Sequence, residues 1–204
     1  MTATELTTKQ RLLAAAEEIF AQKGYEAASV DEITKRAGAN RAAISFHFGG
    51  KERLYIETVK YAHRTCHEGV PFPEYPPGTP AVERLRGFIR TMVQRMVAEP
   101  DPSATQVMMR EMAQPSAACV EVVREYIRPI ADILRELLHE LLPGAGPVDV
   151  YLTGFSIVGQ CLFYKMNRPV ARLLIGEAEF DRLDADRIAE HVIGFTLRAL
   201  GVPS

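Results

Sequence analysis

The side chains best equipped for specific chemistry in this 204-residue chain fall into three groups. The first is Asn40, Arg41 and Ser45, with Ala42 and Ala43 between them. Ile44 and Phe48, four residues apart, share one helical face. That leaves Asn40, Arg41 and Ser45 for the groove, with Ala42 and Ala43 beside them. Asn and Arg can make paired hydrogen bonds to adenine and guanine edges, and an alanine methyl can touch the methyl of thymine. The second group is His63, Cys66 and His67 on one helix face. A histidine pair at i, i+4 can hold zinc, but no HExxH frame or carboxylate array completes the site, and a plain helix surface accounts for it better. The third group is Met108, Met109, Met112, Arg110, Glu111, Tyr126, Phe155, Gln160 and Tyr164, in or beside apolar helical runs. Methionines re-pack easily and could line an adaptable pocket. The polar members could orient a small ligand or satisfy one another, and both readings stay open.

Other chemistries lack their signatures. No P-loop, GxGxxG, GxSxG or metal-ligand cluster occurs, so the expectation is no enzyme, no cofactor and no metal. Three cysteines, Cys66, Cys119 and Cys161, stand without CxxC spacing. An odd number without such spacing argues against a disulfide framework and fits a reducing compartment. Cys119 and Cys161 lie in apolar stretches, where a cysteine serves more often as a small core residue than as a redox sensor.

The elements that must position these groups are helices. Alternating strand patterns are almost absent, and apolar residues recur at helical spacing nearly throughout. A first helix starts at Thr7 or Thr8, where Thr7 and Gln10 have capping-box spacing. It buries Leu12, Leu13, Ala16, Ile19 and Phe20, and Gly24 sits where a C-terminal cap belongs. Ser29 with Glu32 opens a second helix, broken by Gly38. Asn40 caps a third, stopped by Gly49-Gly50, and a fourth runs from Lys51 towards His67. Three short helices with a glycine turn between the second and third match the helix-turn-helix arrangement, whose last helix enters the major groove by its outer face.

Residues 70–80 hold five prolines and mark a boundary between a head, 1–68, and a body, 81–204. The body should hold helices at about 81–98 and 103–113. A continuous apolar stripe follows over 116–142, formed by Val120, Val123, Ile127, Ile130, Leu134, Leu137 and Leu141, with a kink at Pro129. The uncharged run 150–164, apolar on most of its circumference, must be buried all round, by its own body or by a second subunit. Gly154, Ser156 and Gly159 within it would allow close helix approach. Short and long helices should follow at 169–176 and 184–200.

The stretch from Arg11 to Val59, and most sharply SVDEITKRAGANRAAISFHFGGKERLY (29–55), resembles the N-terminal signature of the TetR family of regulators. The matching features are Ser29 before the second helix, the Ala37-Gly38 turn, Phe46-His47-Phe48, and Lys51-Glu52. The resemblance implies that Ser29, Lys51 and His47 contact phosphates, the first two at helix N-termini that favour anions. It places Arg41 and Ser45 at bases, with Asn40 at the helix start, and Phe46 joins the DNA-contact set with Ala42 and Ala43. Ala42-Ala43, Ser45 and Gly50 depart from the commoner Gly-Thr, Tyr and Ser. More faintly, REMAQPS (110–116), REYIRPI (124–130) and GQCLFYKMNRP (159–169) are similar to the effector domain of the CecR-like subgroup.

The implied partners are a double-stranded operator, a second copy of the chain docked through the last two long helices, and a small-molecule effector. A regulator that dimerises without sensing a ligand is the alternative. Charge agrees weakly: residues 1–64 carry net +2 and residues 65–204 net −4. No run is long and apolar enough for a membrane span, and the opening residues lack a signal-peptide core, so a cytoplasmic location without membrane contact is expected.

Overall fold

A computed structural model describes residues 6–67, 69–98 and 101–202, and among these every regular element is helical. In chain order the first elements are α1 (Thr8–Ala27), α2 (Val30–Ala37), α3 (Arg41–Phe48), α4 (Lys51–His67), α5 (Ala81–Val97) and α6 (Pro102–Ala113). They are followed by α7 (Ala117–Val122), a π turn (Val123–Ile127), α8 (Arg128–Leu141), α9 (Pro147–Met166), α10 (Arg168–Ile175), α11 (Glu177–Phe180) and α12 (Ala185–Ala199). Among the described residues no helix is long and apolar enough to cross a membrane.

Packing divides the chain into two compact units, Met1–Glu68 with Pro100–Ile127 and Gly69–Glu99 with Arg128–Ser204. Residues 101–127 therefore pack with the head, although in chain order they follow the proline-rich segment and α5.

In the first unit the local starts and stops come from side-chain capping. Thr7 and Gln10 form a capping box on α1, and Ser29 and Glu32 form one on α2. Each such cap satisfies orphan N–H groups and stabilises its helix by about 1 kcal/mol. Gly24, at φ +74°, interrupts α1 three residues before its end. Gly38, at φ +60°, closes α2 in the left-handed conformation that a side chain would strain. Leu12, Ala16 and Phe20 of α1 meet Ile33, Ile44, Phe48, Leu54 and Val59, and Val107 of α6 and Val122 of α7 join the same core.

In the second unit Leu85, Ile89 and Val93 of α5 pack with Leu134 and Leu138 of α8, Ile157 and Cys161 of α9, and Val192 and Leu197 of α12. A π turn precedes Pro129 and ends two residues before it. A π turn widens the backbone ladder by one residue, and the proline has no N–H to give it. The turn also changes the angular step, which breaks the expected stripe. Leu134 and Leu137 are buried, but Val120, Val123 and Ile127 are exposed, and α7 buries Ala118 and Val122 instead.

Within the single chain, helix α9 is covered on one side. Val150, Ile157 and Cys161 face the core, while Tyr151, Leu152, Phe155 and Phe163 stay exposed. On α10, Leu173 is 87% exposed and Leu174 is exposed beside it. Arg172 holds that helix to α11 by ion pairs with Glu177 and Asp181.

Candidate nucleic-acid interface

Helix α3 is held from below by Ile44 and Phe48, both buried against α1, α2 and α4. Its start is set by Asn40, whose Oδ1 accepts the Ala43 N–H at 2.9 Å. That oxygen is therefore engaged in capping, and the amide NH2 is the donor end that remains. Arg41, Ala42, Ser45 and Phe46 are exposed, and Ala43 and His47 are half-buried. Arg41 leans towards α2, with Nη1 3.4 Å from Asp31 Oδ1 and both side chains largely in solvent. Such a pair stabilises by less than about 1 kcal/mol, so it can open to release Arg41 at little cost.

The three residues expected at phosphates occupy distinct settings. Ser29 Oγ accepts the N–H groups of Asp31 and Glu32 at 3.1 and 3.4 Å. Glu32 returns to the Ser29 N–H at 3.2 Å and pairs with Lys23, and those bonds hold its carboxyl below the usual carboxylate range. Lys51 opens α4 with its ammonium 4.6 Å from the Tyr25 ring centroid and 3.3 Å from the Glu26 carbonyl oxygen. A lysine has three donors, so one such bond leaves others to reach an anion. His47 lies between the rings of Phe46 and Phe48, with centroids at 4.9 and 6.2 Å.

Behind this surface, polar contacts tie α1 and α4 to α6, α7 and the π turn. Glu111 is 3% exposed. Its carboxylate accepts Tyr55 Oη–H at 2.5 Å and the Ser116 hydroxyl and N–H at 2.8 and 3.2 Å. Burial, with Glu111 alongside, raises the Tyr55 phenol above its ordinary pKa. Arg110 donates to the carbonyls of Ala21 and Gln22 at 3.2 and 3.4 Å, closing the last full turn of α1 ahead of Gly24. Lys60 reaches Glu125 at 2.8 Å, and the Arg64 guanidinium donates to Tyr126 Oη at 3.1 Å. Apart from Glu111 and Ser116, five residues apart, these partners are distant in sequence, and nothing local in the chain announces them.

The residues expected around an effector are distributed over both units. Met108 packs at the edge of the first core, and Met112 is exposed. Arg110 and Glu111 are committed as above, and Tyr126 lies 4.9 Å from the His63 ring. Arg110 and Glu111 also line an open cleft of about 610 Å³, together with Tyr25, Tyr55 and Ser116. Phe155, Gln160 and Tyr164 belong to α9 in the second unit, where Phe155 is exposed and the other two are half-buried. Cys161 is fully buried, which pushes its thiol up to about 12 and suppresses the thiolate that redox chemistry requires. Among the described residues no group of three or more His, Cys, Asp or Glu is arranged to hold a metal ion.

Comparison with known proteins agrees with this geometry. Residues 12–58 match the TetR family of bacterial regulatory proteins, and residues 81–200 match the C-terminal domain of the HTH-type transcriptional dual regulator CecR. The CecR protein of Shigella flexneri is 26% identical over 196 residues, covering 90% of this chain and 87% of its own. A TetR-family regulatory protein from Rhodococcus RHA1 shares the fold with a TM-score of 0.67 at 18% identity, over 98% of this chain and 100% of its own. The structure of AibR in complex with isovaleryl coenzyme A and operator DNA gives 0.61 at 18% identity, over 93% and 97%. The chain is thus a DNA-binding transcriptional regulator rather than an enzyme, and it belongs to the TetR family, with a C-terminal domain of the CecR type.

Proposed function

We propose that this regulator is a cytoplasmic repressor that binds an inverted-repeat operator as a homodimer and is released by a small-molecule effector. The observation that carries the reading is α3, buried by Ile44 and Phe48 and open to solvent along Arg41, Ala42, Ser45 and Phe46. A short helix docked in this way presents its outer face to the major groove. Arg41 and Ser45 supply base contacts, Asn40 sits at the entry, Ala42, Ala43 and Phe46 supply apolar surface, and Ser29, His47 and Lys51 meet the flanking phosphates.

One head spans few base pairs, so a second copy supplies the other half-site. The exposed apolar side chains of α9 and α12, Tyr151, Leu152, Phe155, Phe163 and Phe195, support pairing through these helices. Two from each copy would form a four-helix bundle. The AibR complex, which holds both an acyl coenzyme A and an operator, supports an effector of organic character. Such an effector can lower operator affinity only by binding the non-operator state more tightly. The proposed contacts lie in the first unit: Met108, Met112 and Tyr126, with Arg110 and Glu111.

The test is selection of duplexes from a random pool by the full-length chain, followed by measurement of stoichiometry. The reading expects an inverted repeat bound by two chains. A single asymmetric site bound by one chain would overturn it.

A further inference from the structure

We propose that the part of α3 that reaches furthest into the major groove is hydrocarbon, and that Phe46, with Ala42, reads the C5 methyl groups of thymine. The proposal rests on α3 being the helix that meets DNA. A helix advances by about 100° per residue, so a residue midway between two positions four apart points away from both. Phe46 is midway between Ile44 and Phe48, the two side chains that α3 buries. It is 84% exposed, and its ring meets the ring of its neighbour His47 edge-on at 4.9 Å.

The same geometry sorts the remaining positions. Ala42, exposed, stands one turn ahead of Phe46 and within about 40° of it around the axis. Ala43 lies about 60° away on the other side. Arg41 and Ser45 share one flank, and His47 takes the other. The outermost ridge is therefore a benzyl group between two alanine methyls, with the hydrogen-bonding groups set to the sides.

A ridge of this kind cannot pair with donors or acceptors on base edges. The apolar feature that the major groove offers is the thymine methyl, which cytosine and the purines lack. Phe46 also has no part in the core. Its exposure has a cost in solvent and a use in the groove. Burying one methyl is expected to raise affinity about fourfold.

The experiment replaces each thymine of the best selected duplex, one at a time, by deoxyuridine. This removes the methyl and leaves every hydrogen-bonding group in place. The expected result is at least one thymine in each half-site whose replacement weakens binding about fourfold. That loss should vanish in Phe46→Ala and largely persist in Phe46→Leu, which retains a hydrocarbon side chain. Thermal melting should be the same for all three proteins, because the side chain is exposed. If every deoxyuridine duplex binds as well as its parent while Arg41→Ala still loses specificity, the methyl reading is overturned and α3 remains the DNA-contacting helix. If the pool yields no preferred duplex, both fall.

Discussion

Replacing Glu17 by Gln should stabilise the protein at pH 8 and leave its stability nearly unchanged at pH 5. Glu17 lies on α1 and is only 6% exposed, and its Oε2 is buried without a hydrogen-bond partner. Burial, reinforced by repulsion from Asp101 and Glu18, pushes its carboxyl from 4.5 up to about 7. Below pH 4.5 the side chain is protonated in folded and unfolded chains alike, and no penalty arises. Between 4.5 and 7 the unfolded chain has released a proton that the folded chain still holds, so stability falls as pH rises. Above 7 the penalty is full, at about 3 kcal/mol from 1.36 kcal/mol per pKa unit. Gln never ionises, although its buried amide offsets about 1 kcal/mol of the gain. The expected net stabilisation at pH 8 is therefore about 1–2 kcal/mol. Urea unfolding followed by circular dichroism between pH 5 and 8 measures it directly. A variant no more stable than the parent at pH 8, or a difference that does not change with pH, would refute the reasoning.

Other consequences are equally direct. Glu111→Ala strands the Tyr55 hydroxyl and both Ser116 donors, and should lower unfolding free energy by about 3 kcal/mol or more in urea titrations. Asp31→Asn releases Arg41 and removes a carboxylate from the face expected to meet phosphates. Fluorescence anisotropy should show roughly threefold to tenfold tighter binding to any duplex. Lys51→Ala should weaken all duplexes alike and flatten the plot of log affinity against log salt by about 1. Phe155→Arg places a charge on the exposed face of α9, and sedimentation should show a dimer for the parent and a monomer for the variant.

Most of the head could be read from the chain because its signals are local. Thr7 with Gln10, Ser29 with Glu32 and Asn40 each announce a helix start within three residues, and the structure forms each of these caps. Ile44 and Phe48 show the inner face of α3 by spacing alone, and Phe46 could have been placed opposite them by the same rule. The Tyr55–Glu111 and Lys60–Glu125 contacts join residues 56 and 65 positions apart, which periodicity does not encode.

The region 117–141 misled for a different reason. Its apolar rhythm is helical throughout, but a π turn interrupts it before Pro129, and Val120, Val123 and Ile127 end up exposed while Leu134 and Leu137 are buried. The run 150–164 is apolar as expected, and the chain alone covers one side of it. The four-residue α11 is too short to carry a periodic signal.

The proposed regulator inserts the outer face of α3 into duplex DNA in two symmetric copies. Footprinting of the full-length protein and of Arg41→Ala on a selected operator tests it most directly. Two matching protected regions are expected on one face of the duplex, with centres about 34–36 Å apart or a multiple of that. The variant is expected to lose specific affinity by about 1–3 kcal/mol at one base pair per half-site. One unpaired footprint, or full specific binding after loss of Arg41, would contradict it.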